Sequence, residues 1–168
     1  MRLLIIRHAV AVARGTPDIP DDERALTPTG EKRFRQAARG LAGIVRRPDA
    51  ILTSPLPRAL RTAEIAAKAW GKIKPRTEPA LATGDIDQVL AILAACPTEA
   101  TVAVVGHEPD VSALLARLLG SSESHRLSFR KGGAALVDVP GSPAHGGRLV
   151  WYLGPRILRG LSARDRQA

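Results

Sequence analysis

Two dipeptides hold the side chains best suited to chemistry in this chain of 168 residues: Arg7-His8 and Gly106-His107. Each ends an apolar run, LLII before Arg7 and TVAVV before Gly106, and a further arginine, Arg58, follows the run DAILTS. Two histidines among arginines make a poor metal site. Ligand imidazoles are neutral, neighbouring guanidinium groups repel a cation, and no carboxylate or cysteine stands beside them at ligand spacing. The same set suits a phosphoryl group, whose oxygens a guanidinium fork binds bidentately at any relevant pH. Adjacent arginines disfavour imidazolium, so one histidine stays neutral and nucleophilic while the other donates to an equatorial phosphate oxygen. Phosphoryl transfer asks chiefly for positioning and charge neutralisation. Attack by an imidazole on phosphorus would give a phosphohistidine intermediate.

These residues act together only if the fold gathers them. RLLIIR reads as a short buried strand bounded by charge, and RGTPDIPDDERAL as a Pro- and Asp-rich loop. A helix begins at LTPTGEKRF with Thr27 or Thr29 as cap, and its apolar positions Phe34, Ala37, Ala38, Leu41 and Ile44-Val45 keep helical spacing. DAILTS is a second strand and PLPRALRTAEIAAKAWG a second helix closed by Gly71; PRTEPAL holds a brief third strand. DIDQVLAILAAC is a helix capped by Asp85, and TVAVVG is the most strand-like segment. DVSALLARLLG is a further helix, with Asp110 expected as its cap and Gly120 as its stop. RLSFRKGGAALVDVPG and GRLVWYLG read as two or three antiparallel strands, and PRILRGLSARDRQA as a polar tail or short helix.

Strands alternating with helices predict an α/β fold, a mainly parallel sheet covered by helices on both faces with an antiparallel C-terminal edge. In such sheets ligands sit beyond the C-terminal strand ends. Arg7-His8, Thr53-Ser54 with Arg58, and Gly106-His107 therefore converge on one sheet edge. The expected organisation is one domain over residues 1–155 and a tail over 156–168.

Apolar residues make up 45% of the chain, which suits a globular protein, and aromatics only 3%, so Ala, Leu, Ile and Val must build the core. The four-residue apolar run near the N-terminus is too short for a secretory signal, and no stretch approaches the ~20 apolar residues of a membrane span. Cys96 is the single cysteine, which excludes an intramolecular disulfide and fits a reducing cytoplasm. The net charge of +9 favours anionic partners. Scattered basic residues and scarce aromatic platforms argue against nucleic acid.

The segments IIRHA, SPLPRALRTAE and VVGHEPD, in this order, resemble the three signature stretches of the histidine phosphatase superfamily, with its phosphoglycerate-mutase-like three-layer α/β/α sandwich. The resemblance implies that His8 is the phosphorylated nucleophile and that Arg7, Arg58 and His107 complete the phosphate-binding pocket. Arg76 to Ala100 is a stretch of only 25 residues, too few for the helical cap of larger relatives. This shortness, with the ending RKGGAALVDV…GRLVWYLGPR, resembles the small phosphohistidine phosphatases of the SixA type. Ala9 departs from the usual RHG by one methyl group.

The proton donor is not evident. Glu108 follows His107, where acid phosphatases of the superfamily carry an aspartate; Asp18, Asp21, Asp22, Glu78 and Asp85 are alternatives. An ester alkoxide gains much from protonation, whereas imidazole, with a conjugate-acid pKa of about 6.5, leaves readily from a phosphoramidate. An uncapped site without a firm acid thus suits a phosphohistidine on a protein, either a phosphotransfer domain or a phosphocarrier. A general phosphomonoesterase of small molecules is the alternative, and a non-catalytic phosphate- or nucleic-acid-binding module a remote one. No cofactor or metal is expected. Ser54 reads as a turn residue, Thr62 as packing beneath the site, Arg61, His125 and His145 as surface residues, and Lys131 as part of a hairpin turn.

Overall fold

The computed structural model describes residues 1–71 and 73–164. RLLIIR forms strand β1 (Arg2–Arg7), which buries Leu3 and Ile5 on one face of the sheet and Leu4 and Ile6 on the other. A strand covered on both faces leaves no place for a polar side chain, hence the unbroken apolar run. Helix α1 (Pro28–Ile44), strand β2 (Ala50–Thr53) and helix α2 (Pro57–Ala69) follow. Next come β3 (Arg76–Thr77), α3 (Ala80–Thr83), α4 (Ile86–Ala94), β4 (Thr101–Gly106) and α5 (Asp110–Leu118). The hairpin β5 (Ala134–Asp138) and β6 (Arg148–Leu153) leads into helix α6 (Pro155–Arg164).

The six strands lie in the order β3-β2-β4-β1-β5-β6. The first four run parallel, and β5 and β6 form the antiparallel edge. Helices α1, α2 and α6 cover one face of the sheet, and α3, α4 and α5 the other. This is the expected three-layer sandwich.

Small residues set the spacing of the first helical layer. Ala37 and Ala38 of α1, and Ala59, Ala63, Ala66 and Ala67 of α2, are all buried. At Gly40 the backbone of α6 comes so close that a Cβ would lie 2.0 Å from the Leu158 carbonyl oxygen. Leu158 itself is fully buried, so the segment read as a polar tail or short helix is a helix packed against α1. The boundary expected at residue 155 falls within packed structure; residues 165–168 of the expected tail lie outside the described residues.

Thr27 caps α1 by accepting a hydrogen bond from Gly30 N at 3.0 Å, and Asp85 caps α4 by accepting from Gln88 N at 2.9 Å. Asp110 does not cap α5: it is the first helical residue, and Pro109, which offers no side-chain acceptor, holds the cap position. RLSF forms no strand; residues 124–127 make a 3-10 turn ahead of β5.

Candidate active site

Strand register decides the site. Arg7, the last residue of β1, lies opposite Gly106, the last of β4, and Thr53, the last of β2, lies opposite Val105. His8 and His107 are thus each one residue beyond neighbouring strand ends, and His8 N donates to Gly106 O at 3.0 Å. Their ring centroids are 5.1 Å apart. Arg58 enters from the first turn of α2, which Pro57 starts at a position where a missing N–H costs nothing. The structure therefore gathers Arg7, His8, Arg58 and His107, as the sequence predicts.

The backbone fixes the protonation of His8. Its Nδ1 is 2.7 Å from Ala9 O, a contact that requires Nδ1–H and leaves Nε2 with the lone pair. Burial lowers the His8 pKa to about 3, with the positive charges of Arg58 and Arg7 acting in the same direction. Burial, then Arg58, likewise lowers His107 to about 4. His107 Nε2 lies 2.8 Å from Ser54 Oγ, and Ser54 Oγ also accepts from Leu56 N at 3.2 Å. The serine proton finds its acceptor at His107 Nε2, which places the imidazole proton on Nδ1. That Nδ1 is buried and has no partner. The other buried side-chain atoms without partners among the described residues are Arg7 Nε and Arg58 Nε. All three belong to the gathered residues. Buried polar groups are rarely left unpaired, and an anion held among them would satisfy three donors at once.

Arg7 Nη1 and both Nη atoms of Arg58 are anchored. An Arg7 Nη1 hydrogen donates to Phe129 O. Arg58 Nη1 donates to Asp21 O at 2.7 Å, and Nη2 lies 3.4 Å from Asp21 Oδ2. Thr62 Oγ1 donates to Arg58 O at 2.7 Å and accepts from Ala9 N at 3.0 Å, tying α2 to the turn after His8. Gly132, with φ of +77°, turns the 130–132 loop so that its N–H reaches Arg7 O and His8 O at 3.2 and 3.0 Å.

The family model that matches this chain is that of the histidine phosphatase superfamily, branch 1, over residues 3–88. The chain belongs to the histidine phosphatase superfamily. It is 36% identical over 138 residues to an uncharacterized protein of Picosynechococcus sp., a match covering 79% of this chain and 82% of that one. The solved structure of the protein histidine phosphatase SixA complexed with tungstate superimposes with a TM-score of 0.79 at 30% identity, covering 94% of this chain and 99% of that one. A protein of Agrobacterium tumefaciens assigned as the phosphohistidine phosphatase SixA gives 0.76 and 28%, with 92% and 97% covered. The protein is a phosphatase, and its fold is phosphoglycerate-mutase-like.

In this histidine phosphatase, Glu108 is fully engaged. Its Oε1 accepts from Phe129 N at 2.6 Å, and Ser112 Oγ lies within 2.8 Å of both carboxylate oxygens. Of the other carboxylates considered as acids, Glu78 pairs with Arg76, Asp85 caps α4, and Asp18 and Asp22 are exposed. Asp21 is the one bonded to Arg58, and its hydrogen bonds from Arg14 and Arg24 hold it at about 2.

Two neighbours escape the sequence reading. Ser54 is more than a turn residue, since it fixes the His107 tautomer. Arg24 is buried, donates to Asp21 Oδ1 at 3.0 Å and Val12 O at 2.7 Å, and adds its charge to the field on His107 and Arg58. Ser54 opens the signature stretch SPLPRALRTAE, but nothing in that stretch pairs it with His107, and only Arg24's place in the acidic PDDER stretch hints at pairing. Arg61 stays outside the cluster, bridging Glu31 of α1 and Glu64 of α2. Among the described residues, no group of three or more His, Cys, Asp or Glu could hold a metal ion, and no helix is long and apolar enough to cross a membrane.

Proposed function

We propose that this phosphatase removes phosphate from a phosphohistidine on a protein. His8 Nε2 attacks phosphorus, the P–N bond to the substrate imidazole breaks, and the phosphoryl group passes to His8. The leaving imidazole carries a proton on its distal nitrogen and departs neutral, needing no acid from the enzyme. Water then attacks phospho-His8, releasing inorganic phosphate and restoring the imidazole. Arg7, Arg58 and His107 hold the oxygens, and their positive charge and N–H donors offset the charge of the transition state.

The observation that carries this reading is the neutral, backbone-oriented His8 beside three unpartnered buried N–H groups, with no carboxyl group among the described residues poised to donate a proton. Glu108 is committed to Ser112 and Phe129, and Asp21, held near 2, is ionised. Both features favour a good leaving group over an alkoxide. The likeness to the SixA structures supports the same choice. Partners would be phosphotransfer domains or phosphocarrier proteins, and the expected compartment is the cytoplasm. Tungstate, a tetrahedral oxyanion like phosphate, should inhibit by occupying the same cluster.

The test compares hydrolysis of a phosphohistidine-bearing protein with that of phosphoserine and p-nitrophenyl phosphate, for the wild type and His8→Ala. The expected result is a preference for phosphohistidine of about a hundredfold or more, the scale of a missing general acid. His8→Ala abolishes it, and labelled phosphate is trapped on His8 as an acid-labile, base-stable adduct. Equal or faster monoester turnover favours a phosphatase of small molecules. Turnover surviving in His8→Ala removes the covalent intermediate.

A further inference from the structure

Beside the phosphoryl site, a groove of about 550 Å³ opens between the first turns of α1, the 130–132 loop and the start of α6. Five cations line it, Arg33, Arg130, Lys131, Arg156 and Arg159, and no carboxylate does. None of the five is paired with an acid among the described residues. Between them lies apolar surface, chiefly from Val10 and Ile157, above the buried Phe34 and Ala37. Val10 and Ile157 are 38% and 55% exposed.

The groove begins at the nucleophile's own loop. Ala9 and Val10, which line it, follow His8 directly, and Gly132 on its opposite wall hydrogen-bonds to the carbonyls of Arg7 and His8. Lys131 belongs to both places: it lines the groove, and its charge is felt together with those of Arg7, Arg24 and Arg58. A histidine that reaches His8 from the surface of a helix brings its neighbours three and four positions away onto this strip.

We infer that the groove docks an acidic, amphipathic helical segment of the phosphorylated partner, the segment that carries the phosphohistidine. The inference rests on the phosphohistidine reading above and adds what selects the protein. Charge complementarity calls for an acidic partner, and the apolar floor calls for apolar side chains between the acids. A lone phosphate would leave that floor uncovered. A second copy of this chain, with net charge +9, would meet like charge. Nucleic acid would lack a stacking surface, since the one aromatic residue lining the groove, Phe34, is 2% exposed.

The test uses the double variant Arg33→Glu, Arg156→Glu, whose residues lie outside the phosphoryl cluster. Three substrates are compared: free phosphohistidine, a phosphohistidine-bearing helical peptide rich in Glu and Asp, and its Gln/Asn counterpart. The wild type should favour the acidic peptide. The double variant should lose about tenfold or more of kcat/KM on it while free phosphohistidine changes by less than about twofold. The wild-type advantage should also shrink as ionic strength rises. Equal effects on all three substrates, or none, would overturn the docking surface. So would a single-stranded oligonucleotide that displaces the acidic peptide and binds the double variant more weakly. Should the wild type hydrolyse no phosphohistidine at all, that reading fails by itself. The groove is then judged by fluorescence anisotropy of the unphosphorylated acidic peptide, whose equal binding to wild type and double variant sinks it.

Discussion

At pH 7 the His8 ring carries one proton, on Nδ1, and its Nε2 lone pair is available without any base to expose it. In the proposed mechanism such a nucleophile depends on its surroundings to hold the incoming group, and those surroundings are donors rather than acids. Glu108 is the residue on which this distinction turns. It touches Phe129 N, and Phe129 O in turn receives Arg7, so the carboxylate steadies the loop that anchors Arg7. Glu108→Gln should therefore slow phosphohistidine and monoester turnover by similar factors, on the order of tenfold for a weakened charge-assisted bond. Selective collapse of monoester turnover alone would instead make Glu108 a proton donor. The convergence of Arg7, His8, Arg58 and His107 was legible in the sequence because they end a strand, follow a strand end or open a helix. The contacts of Ser54 and Arg24 were not. Ser54 meets His107 across 53 residues of sequence, and Arg24 is buried only because Asp21 and the Val12 carbonyl receive its guanidinium.

Elements position these side chains through contacts that tolerate little added volume. The α1–α6 crossing at Gly40 matters most, because α6 forms one wall of the basic groove and α1 the other. Gly40→Ala would set a methyl group against the Leu158 carbonyl and force the helices apart. A destabilisation of about 1–3 kcal/mol is expected, read from the urea midpoint at unchanged slope. A midpoint equal to wild type would show that the helices separate freely. The elements themselves could be read from alternating runs and caps, and Thr27 and Asp85 cap as expected. The helical character of residues 155–164 was harder to fix, because PRILRGLSAR carries three arginines and two serine or glycine breaks that mask its single deep anchor, Leu158. The two-residue β3 and four-residue α3 are held by neighbours rather than by their own propensity.

For the molecule as a whole, keeping two imidazoles neutral ties stability to pH. In the unfolded chain each histidine takes up a proton near pH 6.5, whereas in the native protein His8 waits until about 3 and His107 until about 4. Between these values the unfolded state holds more protons, so the stabilisation is complete above pH 6.5 and drains away as pH falls. The slope is at most ~1.4 kcal/mol per histidine per pH unit. Thermal unfolding should show Tm declining from pH 7.5 to 5, with a shallower decline in His8→Ala. A flat profile, or an identical slope in that variant, would contradict the neutral-pair description.

The position of β1 in the sheet has a further result. The strand that leads into His8 precedes both of its sheet neighbours by far in the chain, since these are residues 101–106 and 134–138. During translation His8 must wait through most of the chain before either partner exists, and loop closures of that length make such pairing slow. A nascent or truncated chain ending before residue 129 has one flank of β1 open and lacks the Phe129 carbonyl that receives Arg7. Such a chain would present an unpaired apolar strand to other chains or to a chaperone, and Arg7 would stay unanchored beside His8 until the fold is finished.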